Sequence, residues 1–125
     1  MENFLPFINS HQCCKIWLHD IMYIRQDGRM TSIITEKETY CSYEKLKEME
    51  AHLDKCFYYC LKKVIINFDN VAAMKEQTIY FKNGDFITLG RQNYVHTRQA
   101  FAAYLLQQKK NEKEMEKSRP KSRTK

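Results

Sequence analysis

Residues 57–67 read FYYCLKKVIIN, and this stretch decides the fold. Two apolar runs rich in aromatic and β-branched side chains flank the adjacent pair Lys62 and Lys63, a composition typical of half-buried β-strands. No glycine or proline separates the runs, so a tight joint is predicted, not a long loop. The ordinary interpretation is a strand pair with solvated lysines, since exposed lysine is the usual case. The alternative is that the tight joint holds the two positive charges in fixed positions.

The totals indicate one domain. A chain of 125 residues with 43% hydrophobic and 13% aromatic content can form a single core. No apolar run approaches the roughly 20 residues that span a bilayer. The N-terminal segment has no basic region and carries Glu2, so we expect no signal peptide and a cytoplasmic protein.

The net charge of +6 is concentrated at the C-terminus. Residues 109–125 hold eight Lys or Arg and three Glu. Residues 1–108 hold thirteen Lys or Arg and twelve Asp or Glu. A prediction of nucleic-acid binding must therefore depend on where a few charges lie, because the rest of the chain is nearly neutral.

The five cysteines give no sign of a metal or catalytic site. Without an export signal we expect reduced thiols, and their spacing lacks the two close pairs of a zinc finger. The sequence has no glycine-rich phosphate loop and no serine elbow. Cys60 lies in an apolar strand, which disfavours a thiolate. We therefore predict that the protein is not an enzyme and that it binds no cofactor, metal or small-molecule substrate.

Turn and capping signals divide the chain into a leader (1–12), a domain (13–108) and a basic tail (109–125) that we expect to be disordered. Asp27-Gly28 and Asn83-Gly84 predict β-hairpins. Ser42 is the expected N-cap of a short helix with Leu46, Met49 and Leu53 on its apolar face. A second helix is predicted from Tyr94, with an apolar stripe that fades beyond Gln108. The prediction is a mainly β, antiparallel multi-strand fold with one short middle helix and a C-terminal helix.

Polar side chains that can read DNA follow the predicted strands. Arginine binds guanine through two parallel donors, and asparagine or glutamine binds adenine similarly. DNA binding is therefore a hypothesis for the set at strand ends and turns: Arg25, Gln26, Arg29, Lys62, Lys63, Lys82, Asn83, Arg91, Gln92 and Asn93.

The order of these motifs resembles the LytTR family of bacterial DNA-binding domains. Residues 20–24 (DIMYI) are similar to its acidic-Ile-x-Tyr-Ile strand, and residues 27–29 (DGR) to the hairpin that follows. Residues 57–67 are similar to its Phe-x-Arg-x-His-x-Ser-aromatic-apolar-Val-Asn core. Further matches are the helix at 46–49 with Leu53, the strand at Val71, the hairpin at 80–84 (YFKNG) and the exit at 89–91 (LGR). The resemblance covers roughly residues 13–106.

The resemblance implies about ten strands, one small helix, and loops that enter the major groove of direct-repeat promoter sites. It implies a stand-alone transcriptional regulator, with a possible second copy on the adjacent half-site and a possible membrane-protein inhibitor. Arg91 fits the family's DNA-contacting arginine, and Lys62 its polar contact after the histidine. The first-hairpin contact falls between Arg29 and Thr31. The expected DNA-binding residues are Arg29, Thr31, Lys62, Lys63, Arg91, Gln92 and Asn93.

Three residues depart from the family pattern. Tyr59 replaces its arginine, Leu61 its histidine and Lys63 its serine. These departures change the groups available for base recognition and leave an alternative open. In that alternative the same fold is a protein-interaction module with weak or lost DNA binding, docking a partner through the leader segment 4–8 (FLPFI) or the C-terminal helix.

Overall fold

The computed structural model describes residues 3–117 and side chains as far as Lys113. Within this range it has ten strands and two α-helices, which confirms the mainly β antiparallel prediction. Their bounds are β1 Phe4–Ile8, β2 Cys13–Trp17, β3 Ile21–Asp27, β4 Met30–Thr35, β5 Thr39–Ser42, α1 Leu46–Glu50, β6 Phe57–Leu61, β7 Val64–Asn67, β8 Val71–Lys75, β9 Thr78–Phe81, β10 Phe86–Thr88 and α2 Arg91–Lys117.

The strands form three antiparallel sheets. The largest has the order β5-β4-β3-β7-β6, and the two others are β1-β2 and β10-β9-β8. β6 and β7 form the predicted strand pair, with Phe57 opposite Asn67 and Leu61 opposite Val64. Lys62 and Lys63 are the two turn residues between them. The predicted tight joint is confirmed, since only these two residues connect the paired strands, and a register shift between Tyr59 and Leu61 fits the five residues of β6 to the four of β7.

Two buried asparagines join the turn after β7 to the turn that precedes β3. The Asn67 side-chain amide donates to the carbonyls of Leu18 (3.1 Å) and Ile21 (2.9 Å). The Asn70 amide donates to the carbonyls of His19 (2.9 Å) and Ile21 (2.8 Å). These bonds satisfy main-chain acceptors where the chain leaves regular pairing, which would otherwise be costly to bury.

The leader, which the sequence predicted as a segment apart from the domain, forms part of the fold as β1. β1 pairs with β2, and the side chains of Leu5 and Phe7 are 1% and 3% exposed. These two side chains lie on the same face of the strand and pack in the core beside α1. Pro6 conceals this pattern in the sequence, yet proline is tolerated on an edge strand.

The middle helix begins later than predicted. Ser42 ends β5, and its hydroxyl accepts a 2.9 Å hydrogen bond from the Glu44 N–H. The helix itself starts at Leu46, where the Glu48 carboxylate accepts a 3.2 Å bond from the N–H of Lys45. Ser42 therefore forms a local turn in place of the predicted N-cap, as serine side chains often do. Leu46 and Met49 are buried as predicted.

The C-terminal helix is longer than predicted at both ends. α2 begins at Arg91 and continues to Lys117, so the disorder predicted for the tail is wrong for residues 109–117. This segment is rich in lysine and glutamate, which favour helix, and Lys109 lies 3.6 Å from Glu112 one turn later. The rest of the predicted tail, residues 118–125, lies outside the described residues. Across residues 3–117 no helix has the length and hydrophobicity to cross a membrane.

Candidate nucleic-acid interface

Two hairpin turns lie side by side at one end of the large sheet. The β3–β4 turn carries Arg29, and the β6–β7 turn carries Lys62 and Lys63. The turns adjoin because β3 pairs with β7, with Arg25 opposite Val64. The main-chain N–H of Gln26 also donates a 2.9 Å hydrogen bond to the Lys63 carbonyl. All three predicted cations are exposed at this end.

A third loop, between β5 and α1, lies at the same end because Ser42 pairs with Thr31. It carries Tyr43, which is 75% exposed, and the exposed Lys45. Together with the first hairpin it forms an open groove of about 630 Å³ lined by Gln26, Gly28, Arg29, Tyr43 and Lys45. Sequence reasoning missed Tyr43 and Lys45, since only the β4–β5 register shows that their loop adjoins the first hairpin.

The Thr31 side chain supports the loop between β5 and α1 and is not part of the exposed surface. Its side chain is 0% exposed, and its hydroxyl donates a 2.8 Å hydrogen bond to the Glu44 carbonyl. A side chain so enclosed cannot reach a DNA groove. We therefore remove Thr31 from the expected contact set and assign it to holding the β5–α1 loop.

Arg91, Gln92 and Asn93 form the first turn of α2, and all three side chains are exposed. The first intrahelical bond runs from the Tyr94 N–H to the Gly90 carbonyl at 2.9 Å. This turn holds no acidic residue. Because free N–H groups and the helix dipole favour anions here, the turn suits a phosphate or a base edge.

Aromatic packing sets the direction of α2. The rings of Phe101 and Tyr104 lie 5.3 and 5.4 Å from that of Phe68, which follows β7 at the sheet end opposite Lys62. The Tyr104 hydroxyl also donates to the Asp69 carboxylate. The buried Thr97 and the half-buried Tyr94 precede these residues, while residues 105–107 are exposed. Since α2 packs on β6, its first turn lies toward the end of β6 that carries Lys62.

The cations at this end form no ion pair with an acidic side chain among the residues that the structure describes. In the part of the chain that the structure describes, the ion pairs are His19 with Asp20 and Lys109 with Glu112, both distant from the turns. Arg29, Lys62, Lys63 and Arg91 therefore keep their charges available to an anionic ligand, without a bridge that must first break.

The residues that depart from the family pattern face different surroundings. The Tyr59 hydroxyl donates a 3.0 Å hydrogen bond to the Glu50 carboxylate of α1, so its polar atom is engaged within the domain. Leu61 is half-buried against the core under α2. Lys63 alone of the three is exposed at the turn. The departures thus remove an arginine and a histidine from this hairpin and place a lysine charge at its turn.

Lys82 and Asn83 do not belong to this group. The Lys82 N–H donates a 3.0 Å bond to the Asn70 carbonyl, at the opposite end of the large sheet. The Asn83 side chain accepts a 3.0 Å bond from the Asp85 N–H and shapes its own turn. The structure separates this hairpin from the Arg29 and Lys62 turns.

Burial raises the pKa of the Cys60 thiol to about 12. At neutral pH this group is a protonated thiol, and a thiolate is the nucleophile in cysteine chemistry. The end of the large sheet that carries the hairpin turns offers positive charges and hydrogen-bond donors instead, and these can bind anions and base edges.

Comparison with known proteins identifies the family and the fold. The family model described as LytTr DNA-binding domain matches residues 11–102. A solved LytTr DNA-binding domain from Bacillus cereus superimposes with a TM-score of 0.64 at 18% identity, covering 79% of this chain and 96% of the other. No individual curated protein matches the sequence. The chain therefore belongs to the LytTR family of DNA-binding domains.

Proposed function

We propose that this protein is a transcriptional regulator that binds promoter DNA in the cytoplasm through the hairpin turns and the first turn of α2. The proposed contact residues are Arg29, Lys62, Lys63, Arg91, Gln92 and Asn93. Arg91 presents two parallel donors that suit guanine, whereas the lysines act as point charges on phosphate or on a base edge.

One observation carries the proposal. A 2.9 Å hydrogen bond from the Gln26 N–H to the Lys63 carbonyl holds together the two hairpins whose turns carry Arg29 and the lysine pair. Turns braced by paired strands lose little conformational entropy when they engage a ligand. These cations form no ion pair within the described residues, and the first turn of α2 holds no acidic residue, so both suit the phosphates of a DNA duplex.

The family resemblance supports finer features of the proposal. The target would be a direct repeat, with a second copy of the domain on the adjacent half-site. A membrane protein that restrains it is part of the same proposal. A small domain covers only part of one face of DNA, so two copies about one helical turn apart would double the contact area.

A binding titration tests the proposal. The probes are fluorescently labelled duplexes from the region upstream of the protein's own coding sequence, with scrambled duplexes of equal length and composition as controls. We expect tighter binding to one promoter fragment than to its scrambled control, by about 10³-fold or more at physiological salt. Equal affinity for all fragments would contradict sequence-specific recognition.

A protein-interaction module on the same fold is the second candidate. It is favoured by the half-buried Leu61 and by Tyr59, whose hydroxyl is bonded to Glu50, at positions where the family pattern has a histidine and an arginine. The leader is a poor docking segment, since Leu5 and Phe7 are already buried. Absence of DNA binding in the titration, by a chain that melts cooperatively, would favour this candidate over the first.

A further inference from the structure

The outward face of α2 exposes an apolar stripe. Val95, Leu105 and Leu106 are 44%, 49% and 72% exposed, three of the seven large hydrophobic side chains exposed in the described residues. Val95, the exposed Ala102 and Leu106 are spaced by seven and four residues, so they lie on one face. The opposite face carries Thr97 and Phe101 against the core. The stripe extends about 16 Å along the helix axis.

Basic side chains surround this stripe. From Arg91 to Asn111 the sequence contains no Asp or Glu, and Arg98, Lys109 and Lys110 are exposed beside the apolar residues. The first acidic residue of the helix is Glu112, which lies 3.6 Å from Lys109. An occupant of this face must therefore combine apolar groups with negative charge.

DNA already held by the loops is a poor occupant. Lys109 lies about 27 Å along the helix axis from Arg91, at 1.5 Å per residue. The helix also leads away from the turns that carry Lys62, because Phe101 and Tyr104 pack at the opposite end of β6. A second copy is disfavoured as well, since an α2–α2 pair would bring like charges together. The stripe is narrow and apolar, which suits a helix better than a phosphate backbone.

We propose that the outer face of α2 is a docking surface for an amphipathic helix of a protein partner. Leucine-like side chains of that helix pack on Val95, Ala102 and Leu106. Its flanking carboxylates meet Arg98 and Lys109. The surface is separate from the DNA-binding turns, so both ligands bind at once.

The test uses the full chain and a fluorescein-labelled helical peptide of about 16 residues. The peptide has leucines at i, i+4, i+7 and i+11 and glutamates on both flanks; a second peptide carries lysines in place of the glutamates. Binding is followed by anisotropy for the wild type, for Leu106→Glu and for Ile8→Glu. Ile8 is a matched control because it is also 72% exposed, but on β1.

We expect the acidic peptide to bind the wild type and Ile8→Glu alike, and Leu106→Glu at least about tenfold more weakly. The lysine peptide should bind about tenfold or more weakly than the acidic one, and added salt should reduce that difference. Promoter binding by Leu106→Glu should equal that of the wild type, which shows that the variant is folded.

Three results would overturn the proposal. The first is an acidic peptide that binds Leu106→Glu as well as the wild type. The second is a wild-type dimer in sedimentation equilibrium that Leu106→Glu dissociates, which would make a second copy the occupant. The third is binding to anionic phosphatidylglycerol vesicles that Leu106→Glu abolishes while the peptide does not compete, which would make a lipid surface the occupant.

Discussion

The main-chain N–H of Gln26 donates a 2.9 Å hydrogen bond to the carbonyl of Lys63. This contact joins two hairpins that are distant in sequence and fixes the spacing of their basic tips. Because it uses main-chain atoms alone, it survives substitution of either side chain. Contact residues at these tips can therefore be replaced one at a time without separating the turns.

Arg91→Ala should weaken binding to cognate DNA by about 1–3 kcal/mol and relax selection at one base position. The loss comes from the planar two-donor contact that arginine can make with guanine. A titration against cognate and single-base variant duplexes measures both effects. Arg98→Ala, an exposed arginine on the same helix, is the control and should bind like the wild type. Wild-type affinity for Arg91→Ala would place the base-reading residue elsewhere.

Lys62→Ala should cost less affinity than Arg91→Ala and should reduce the slope of log K against log salt by about 1. A lone lysine meets phosphate as readily as a base, so its loss weakens specific and random duplexes together. The measurement is a titration at several salt concentrations. Lys55→Ala removes an exposed lysine at the opposite end of β6 and should leave the slope unchanged. An unchanged slope for Lys62→Ala would show that Lys62 makes no phosphate contact.

Inserting about half a helical turn, roughly 5 base pairs, between the proposed half-sites should strongly reduce occupancy. The insertion moves the second copy to the opposite face of the duplex, where it can no longer contact its neighbour or follow the same groove. A full-turn insertion of about 10 base pairs restores the phase and serves as the control. Footprinting measures the occupancy of the original site and of both insertion variants. Equal protection of all three spacings would indicate that one domain reads the whole site.

Thr31→Val should lower the free energy of unfolding by about 1–3 kcal/mol, because it leaves the Glu44 carbonyl without its hydroxyl partner. Affinity for cognate DNA should fall less than in Arg91→Ala, since the Thr31 side chain is enclosed. Urea denaturation and the DNA titration give the two values. Thr39→Val, on the exposed side of the neighbouring β5, is the matched control. A variant with full stability and lost DNA binding would restore Thr31 as a contact residue.

Cys60 should make stability fall at alkaline pH. Burial raises the pKa of its thiol from 9.0 to about 12, so the folded state keeps the proton longer than the unfolded state. The contribution is complete below pH 9 and is lost as pH rises toward 12, because the unfolded chain ionises first. Cys60→Val should therefore show a shallower decline in unfolding free energy between about pH 9 and 11. Parallel declines for both proteins would contradict this assignment.

The sequence by itself determined the features that depend on neighbours along the chain. Asp27-Gly28 and Asn83-Gly84 predicted hairpins, and Gly28 and Gly84 adopt φ of 64° and 97°, which glycine favours. The two apolar runs around Lys62 and Lys63 predicted one strand pair. The order of such local signals also supported the family resemblance, because turn chemistry and side-chain alternation act over a few residues.

Only the tertiary structure decided which of these elements adjoin. That Arg29 lies near Lys63 follows from β3 pairing with β7, and that Thr31 supports the loop of Tyr43 follows from β4 pairing with β5. The burial of Leu5 and the direction of α2 likewise depend on partners far away in sequence. Lateral pairing and core packing are settled by the combined free energy of many such contacts, so no short stretch of residues specifies them.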